Sequence, residues 1–305
     1  MKGRVITLDS NDVYKNIAQE YKYFLELKDE VILLLWQNSP SVIMGRNQNV
    51  YRELDLEYIK SREINIARRF TGGGAVYHDL GNLNFTIISP QKYKDIELWM
   101  EIVQTALSKL HIPSERKGRN DLLLDGKKFS GMAWLDDEDK FMIHGTLMVD
   151  LDLNQLYQCL TPDMSKFVGK GIKSIRSRVC NLKEKQRDIS IEKLSDALIE
   201  TFCEKYPNST IEKPKAFELY KDIYNKLKSS EWIFGKNEKA NIEKTYNIEN
   251  KPCKFEFWIE NDIILKLNIY SDTLQLDKIE KLEQSLLNKK YSEIQIDKEI
   301  NSIWG

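Results

Sequence analysis

Three short blocks of this 305-residue sequence combine residue types that can handle anions. The first is Ala67-Arg68-Arg69-Phe70-Thr71-Gly72-Gly73-Gly74-Ala75-Val76-Tyr77-His78-Asp79. Consecutive glycines leave backbone N–H groups able to face a ligand, and adjacent guanidinium groups can match its charge, which suits phosphate or carboxylate. The same glycines would also serve a tight hairpin turn with no ligand. The second block is Gly118-Arg119-Asn120-Asp121-Leu122-Leu123-Leu124-Asp125-Gly126-Lys127-Lys128-Phe129-Ser130-Gly131. Asn120 and Asp121, just before an apolar strand, could position a hard cation such as magnesium. Lys128 and Ser130 alternate along the next strand, so one lysine of the pair Lys127 and Lys128 would point inward, where a point charge meets an oxyanion or an α-phosphate. Read alone, the block fits an exposed turn with solvated lysines better. The third joins His144-Gly145-Thr146-Leu147, in a strand, to the basic stretch Gly169-Lys170-Gly171-Ile172-Lys173-Ser174-Ile175-Arg176-Ser177-Arg178. A strand histidine is commonly a satisfied core residue, and a basic stretch commonly a solvated loop.

The elements that must hold these blocks can be read from periodicity. Asn11–Lys28 reads as a helix with Tyr14, Ile17, Tyr21 and Phe24 on one face, and Asp95–Leu110 as another with Trp99, Ile102, Val103 and Ala106. Strands are expected at Val31–Trp36, Val42–Met44, Ile64–Arg68, Leu83–Ile88, Leu122–Leu124, Lys128–Trp134 and Phe141–Val149. Short helices at Leu54–Lys60 and Asn154–Leu160, and longer ones at Ile191–Tyr206 and Ala216–Leu227, complete the first part. Beyond Gly235 a hairpin of Phe255–Ile259 and Ile263–Ile269, then a helix over Leu276–Leu287, predicts a second, smaller unit. The fold class expected is α+β: a large domain over 1–236 with mixed or antiparallel sheets and flanking helices, and a small C-terminal α+β domain over 237–305.

Composition narrows the classes. Apolar residues make up 41% and charged residues 30%, with a formal net charge of -1, so the balance is globular and offers no global attraction to nucleic acid. The longest strongly apolar run, Val31–Trp36, is far below the roughly 20 residues of a membrane span. No signal-peptide pattern is read in Met1–Ser10. Cys159, Cys180, Cys203 and Cys253 are widely spaced, which argues against a zinc cage and for a reducing, cytoplasmic setting. Gly126-Lys127 and Gly169-Lys170 lack the rest of a P-loop pattern, and no Gly-x-Gly-x-x-Gly fingerprint opens a helix. All 11 arginines precede residue 188, and 12 of 14 glycines lie at or before Gly171. Guanidinium forks and ligand-approaching backbone are therefore concentrated in the first part, and the chemistry is expected there.

In order and spacing, the blocks resemble the lipoate–protein ligase family. ARRFTGGGAVYHDLGNLNFT is similar to its Arg-Arg-x-[Ser/Thr]-Gly-Gly-Gly-Ala-Val-[Phe/Tyr]-His-Asp-x-Gly-Asn signature, and GRNDLLLDGKKFSG, HGTL and KGIKSIRSRVCNL follow in family order. The resemblance implies an ATP-dependent, AMP-forming ligase related to biotin–protein ligases, with lipoyl-AMP as the bound intermediate. The acceptor would be a lysine on the lipoyl domain of a 2-oxoacid dehydrogenase E2 subunit or on glycine cleavage H protein. Oligomeric state is not readable from the sequence, and a monomer is the default expectation. The resemblance assigns Lys128 as catalytic and touching both substrates, and Arg69, Gly74, Ala75, Val76 and Tyr77 to ATP. Gly73 and His144 would join Lys128 around lipoate, and Gly169, Lys170, Gly171 and Ile172 would lie in a loop covering the adenylate. Asp121 would hold Mg2+ beside the phosphates.

Two other classes remain in view. A related octanoyl or lipoyl transferase would work through a cysteine thioester without ATP. Such enzymes carry a cysteine beside a proline after the histidine strand, whereas here Cys159 falls in a helix three residues before Pro162. A non-enzymatic carrier-binding protein would not need the intact Arg69 and Lys128 blocks. A biotin ligase would show a Gly-Arg-Gly-Arg loop, which is absent.

Overall fold

The computed structural model describes residues 1–118, 120–160, 179–212, 220–235, 240, 242–249 and 251–305. In chain order its first strands are β1 (Lys2–Thr7), β2 (Glu30–Trp36), β3 (Ser41–Met44), β4 (Asn65–Arg68), β5 (Val76–His78), β6 (Asn82–Pro90) and β7 (Glu115–Lys117). They are followed by β8 (Asp121–Leu124), β9 (Lys127–Asp136), β10 (Lys140–Met148), β11 (Thr210–Glu212), β12 (Ile242–Ile248), β13 (Lys251–Glu260) and β14 (Ile263–Tyr270). Eight of them form one sheet in the order β11-β1-β2-β6-β10-β9-β8-β7, parallel at β1 and otherwise antiparallel. This is the mixed α+β architecture that the element pattern predicts.

β2 shows why this sheet is the centre of the fold. Val31, Leu33 and Leu35 belong to one core cluster, while Ile32, Leu34 and Trp36 belong to another. A strand buried on both faces reads as a continuous apolar run, which EVILLLW is. Each such side chain stabilises by about 1.5–3 kcal/mol. On the first face lie the helices Ile96–Lys109 and Ile191–Lys205, packed on each other and capped by Asp95 and Ser190. On the second face lie helix Val13–Leu25, capped by Asp12, and a small sheet of order β4-β3-β5.

β6 alternates differently. Leu83, Phe85 and Ile87 enter the first core, but Asn82, Asn84 and Thr86 are buried polar residues on the second face. The second face therefore holds a polar seam inside an apolar layer.

Several elements depart from the sequence reading. β1 is a buried strand in what reads as an undistinguished N-terminus; its Val5 and Ile6 are paired by β2 and β11. The helix expected at Ala216–Leu227 is described over Lys221–Lys228, and residues 213–219 lie outside the described part. The tail has more than a hairpin and one helix. β12 adds a third strand, and Leu276–Leu286 is joined by a second helix at Glu293–Trp304. β12 is an edge strand with only Ile248 buried, so its sequence lacks the apolar signal that marks β13. The tail closes its own core around Phe255, Phe257, Ile279, Leu282 and Ile296.

The tail is docked on the first part at the glycine block. Gly73 N–H donates to the Thr273 carbonyl at 3.1 Å, and Ser271 N–H to the Asn47 carbonyl at 2.8 Å. Arg46 pairs with Glu280 at 3.1 Å. A Cβ on Gly72 would stand 2.2 Å from the Thr273 carbonyl oxygen, so this docking needs glycine there.

Candidate active site

β9 places the lysine. Leu122 pairs with Ser130 but Leu123 pairs with Lys128, so Phe129 is an extra residue in a bulge. A bulge breaks the two-residue alternation and re-aims the side chains beside it. Lys128 lies across Gly131, where a Cβ would meet its Nζ at 2.9 Å, and lines a narrow cavity of about 130 Å³. Lys127 turns away and faces Glu184 at 3.6 Å. Asp121 stands beside the ammonium, with Oδ1 2.8 Å from Nζ.

The other walls come from the second face. Helix Val13–Leu25 supplies Ile17 and Glu20, β2 supplies Trp36, and β6 and β10 supply Asn84, His144 and Thr146. The small sheet and its loop supply Ile43, Arg69, Gly73, Gly74, Ala75, Val76 and His78. Because β3 lies between β4 and β5, the glycine loop must cross over the end of β3. Gly73 has φ +87°, a conformation that glycine adopts without strain.

The two arginines of the loop are scaffolds as much as charges. Arg69 Nε donates to Thr71 Oγ1, Nη1 to the Ile43 carbonyl, and Nη2 to the carbonyls of Gly72 and Gly74 at 2.6 and 2.8 Å. Arg68 instead gathers the carbonyls of Gly45, Arg46, Gln48, Trp232 and Ile233, tying the loop after β3 to the segment that precedes the tail. Burial pushes both guanidinium groups down to about 10, which leaves them charged at neutral pH.

Residues that the blocks did not single out complete the site. Glu20, 2% exposed, accepts from His144 Nδ1 at 2.8 Å and from the Thr86 hydroxyl at 2.6 Å through the same oxygen. Trp36 Nε1 donates to Thr86, and Thr71 donates to His144 Nε2 at 2.9 Å. His144 therefore offers the cavity only its ring, since both nitrogens are engaged. The usable signal for these residues was the polar alternation of Asn82, Asn84 and Thr86 inside a buried strand, and a glutamate on the apolar face of helix Val13–Leu25.

Of the residues assigned from sequence, Lys128, Arg69, Gly73, Gly74, Ala75, Val76 and His144 line one cavity. Tyr77 is buried and paired with Val42 in the small sheet. Asp121 is at the rim through Lys128. Gly169, Lys170, Gly171 and Ile172 lie outside the described residues. Among the described residues no cluster of three or more His, Cys, Asp or Glu could hold a metal by itself, and no helix is long and apolar enough to cross a membrane. A single aspartate still fits magnesium, which commonly takes one or two carboxylates and completes its shell with phosphate oxygens and water.

Known proteins resemble this chain along nearly its whole length. Residues 12–203 match the lipoyl protein ligase A/B catalytic domain, and residues 237–304 match the bacterial lipoate protein ligase C-terminus. The lipoate-protein ligase A of Bdellovibrio bacteriovorus is 35% identical over 100% of this chain and 93% of its own. The solved structure of Plasmodium falciparum LipL1 in complex with lipoate covers 97% of this chain and 93% of that one, at TM-score 0.86 and 31% identity. A lipoate-protein ligase A solved with bound ATP covers 77% and 99%, at TM-score 0.66 and 28% identity. With residues 12–203 and 237–304 both matched and a relative 35% identical along the whole chain, this chain belongs to the lipoate–protein ligase family.

Proposed function

We propose that this protein activates free lipoate with ATP to lipoyl-AMP and transfers the lipoyl group to a carrier lysine. The observation that carries the reading is the ammonium of Lys128, the one lysine among the described residues on a narrow cavity whose other walls are mainly apolar or internally hydrogen-bonded. A carboxylate attacking an α-phosphate brings two anions together, and Lys128 would offset that repulsion and stabilise the charge that develops. The carboxylate oxygen bonds to the α-phosphorus as the bond to the β-phosphate breaks and pyrophosphate leaves with its electron pair. Gly74 and Ala75 would present backbone to the nucleotide, on a loop whose shape Arg69 holds. Asp121 would share its charge between Lys128 and a magnesium ion, which neutralises departing phosphate when bound. In the second step the carrier amine attacks the acyl carbonyl, AMP leaves, and the same ammonium polarises that carbonyl.

The carrier proposed is the lipoyl domain of a 2-oxoacid dehydrogenase E2 subunit or glycine cleavage H protein. The tail supplies no Arg or His, and its part would be to dock on the glycine loop and be moved by the reaction. The thioester reading is disfavoured by Cys159, which is buried at the end of helix Leu153–Cys159; burial pushes its thiol up to about 11, away from a thiolate.

The test is lipoylation of an apo-carrier domain with lipoate, with and without ATP, read by mass. Product should appear only with ATP, with one AMP released per lipoyl group. Cys159→Ser, in folded protein, should stay within about twofold of wild type, because an adenylate route uses no thiol. Transfer without ATP, or a thioester trapped on Cys159, would sink the ligase reading.

A further inference from the structure

The cavity has an end opposite Lys128, and one donor there has no protein partner. Thr146 of β10, Asn84 of β6 and Trp36 of β2 lie in one row across the sheet, and Gly131 of β9 donates its N–H to Thr146 Oγ1 at 3.2 Å. From the strand of Lys128 to that of Trp36 is three interstrand steps, roughly 14 Å at about 4.8 Å each. His78 stands against Trp36, with ring centroids 6.3 Å apart, and so marks the far end.

The polar atoms at this end are otherwise spoken for. Trp36 Nε1 donates to Thr86, Asn84 Nδ2 to the Trp36 carbonyl, and Asn84 Oδ1 accepts from Asn82. His144 is engaged at both nitrogens. His78 is not. Asn38 Oδ1 accepts from Asn16 Nδ2 at 2.9 Å, which orients the Asn38 amide so that its Nδ2 donates to His78 Nδ1 at 3.1 Å. The proton of the neutral ring is then on Nε2. Burial, with Arg69 and His144 adding to it, pushes His78 down to about 3, so the ring is neutral at working pH. Nε2 is buried and unpartnered, the one such side-chain polar atom on the described residues that line this cavity.

We propose that His78 is a specificity-determining residue, whose Nε2–H is held for the dithiolane end of lipoate and turns the site against a plain saturated chain. The proposal rests on the cavity being the lipoate seat. A methyl end packed over a desolvated N–H leaves that donor unpaired, whereas a ring sulfur accepts from it, if weakly. Apolar walls alone discriminate poorly between chains of similar size, so a lone donor can set the preference. The expected advantage is about tenfold.

The full-length enzyme would be assayed for acid-dependent pyrophosphate release with lipoate, octanoate and 5-cyclopentylpentanoate. The last keeps the five-membered ring and replaces both sulfurs by methylene groups. Wild type should favour lipoate over both analogues in kcat/KM by about tenfold. His78→Leu should lose that advantage by falling on lipoate while the analogues stay within about twofold or improve. His78→Gln, whose amide nitrogen reaches the Nε2 position, should recover part of it. Equal use of lipoate and the cyclopentyl acid by wild type would overturn the proposal without any variant. An equal loss on all three acids in His78→Leu would also overturn it, because that is the mark of a structural role. No pyrophosphate release by wild type with any acid would instead overturn the ligase reading itself, and this proposal with it.

Discussion

The first part and the tail bury their polar residues in opposite ways. Between Asn16 and Ser130 the first part buries Glu20, Arg68, Arg69, Thr71, His78, Asn84 and Thr86, with Arg69 bonded to Thr71, Thr71 to His144, and Thr86 to Glu20. The tail buries Ser271 and Thr273, both in the segment that docks on the glycine loop, and otherwise packs Phe, Ile and Leu. Buried polar groups are costly unless paired, and they persist where a site needs fixed donors and acceptors. The contrast fits the proposal that chemistry lies in the first part and that the tail contributes packing. It also makes the docking contact informative, since Gly73 N–H, a donor suited to an anion, is held by a tail carbonyl.

The hardest test of that division is Lys128→Ala. Loss of the Lys128 ammonium should lower adenylate formation by about a thousandfold or more, with the far-UV spectrum and melting temperature near wild type. Lys127→Ala, which faces Glu184 outside the cavity, should stay within about twofold. A Lys128→Ala enzyme that still makes lipoyl-AMP at a near-native rate would erase the distinction between the two parts.

Arg69→Ala and Arg68→Ala sharpen the same comparison at smaller scale. Each strips a set of buried carbonyls of their donors, and each should cost about 2–4 kcal/mol in chemical denaturation. They should part company in kinetics. Arg69 lines the cavity and shapes the Gly72–Gly74 loop, so its loss should raise KM for ATP and lipoate; Arg68 holds the segment before the tail, so its loss should raise them less. Equal KM effects would mean that the loop and the tail anchor are not separable.

The fold class and the cavity-lining blocks were legible because each left a local mark. The apolar run of β2, the 3.6-residue faces of the helices and the Gly72–Gly74 cluster all act through neighbours in sequence. The choice of Lys128 over Lys127 was legible only through the family motif and not from strand alternation, because it is made by a bulge whose partner is Leu122 and Leu123 on another strand. Glu20 and Trp36 were missed for the same reason: a helix and a strand bring them to the cavity across the second face. β12 was missed because an edge strand need not be apolar.

The smallest effect expected lies in the tail, at a cleft of about 960 Å³ between the two parts. Glu283 is there on helix Leu276–Leu286; burial, with its neighbour Glu280 adding less, raises its carboxyl to about 7, while a hydrogen bond from the Ile269 backbone and, less, Arg46 work the other way. The sign follows from proton counting. Below about pH 4.5 the carboxyl is protonated both folded and unfolded. Between about 4.5 and 7 the folded chain keeps a proton that the unfolded chain has released, so stability falls as pH rises through that window and then levels. Each pH unit is worth about 1.4 kcal/mol at most, and partial exposure of the side chain brings the whole effect to roughly 1–2 kcal/mol. Glu283→Gln, which mimics the protonated form, should therefore match wild type near pH 4.5 and exceed it at pH 8, in denaturation of the full chain. Adenylation should change little at either pH, since Glu283 does not line the cavity of Lys128. A pH-independent difference would mean that the carboxyl is solvated in the cleft. A large change in lipoate KM would mean that the tail reaches into the chemistry after all.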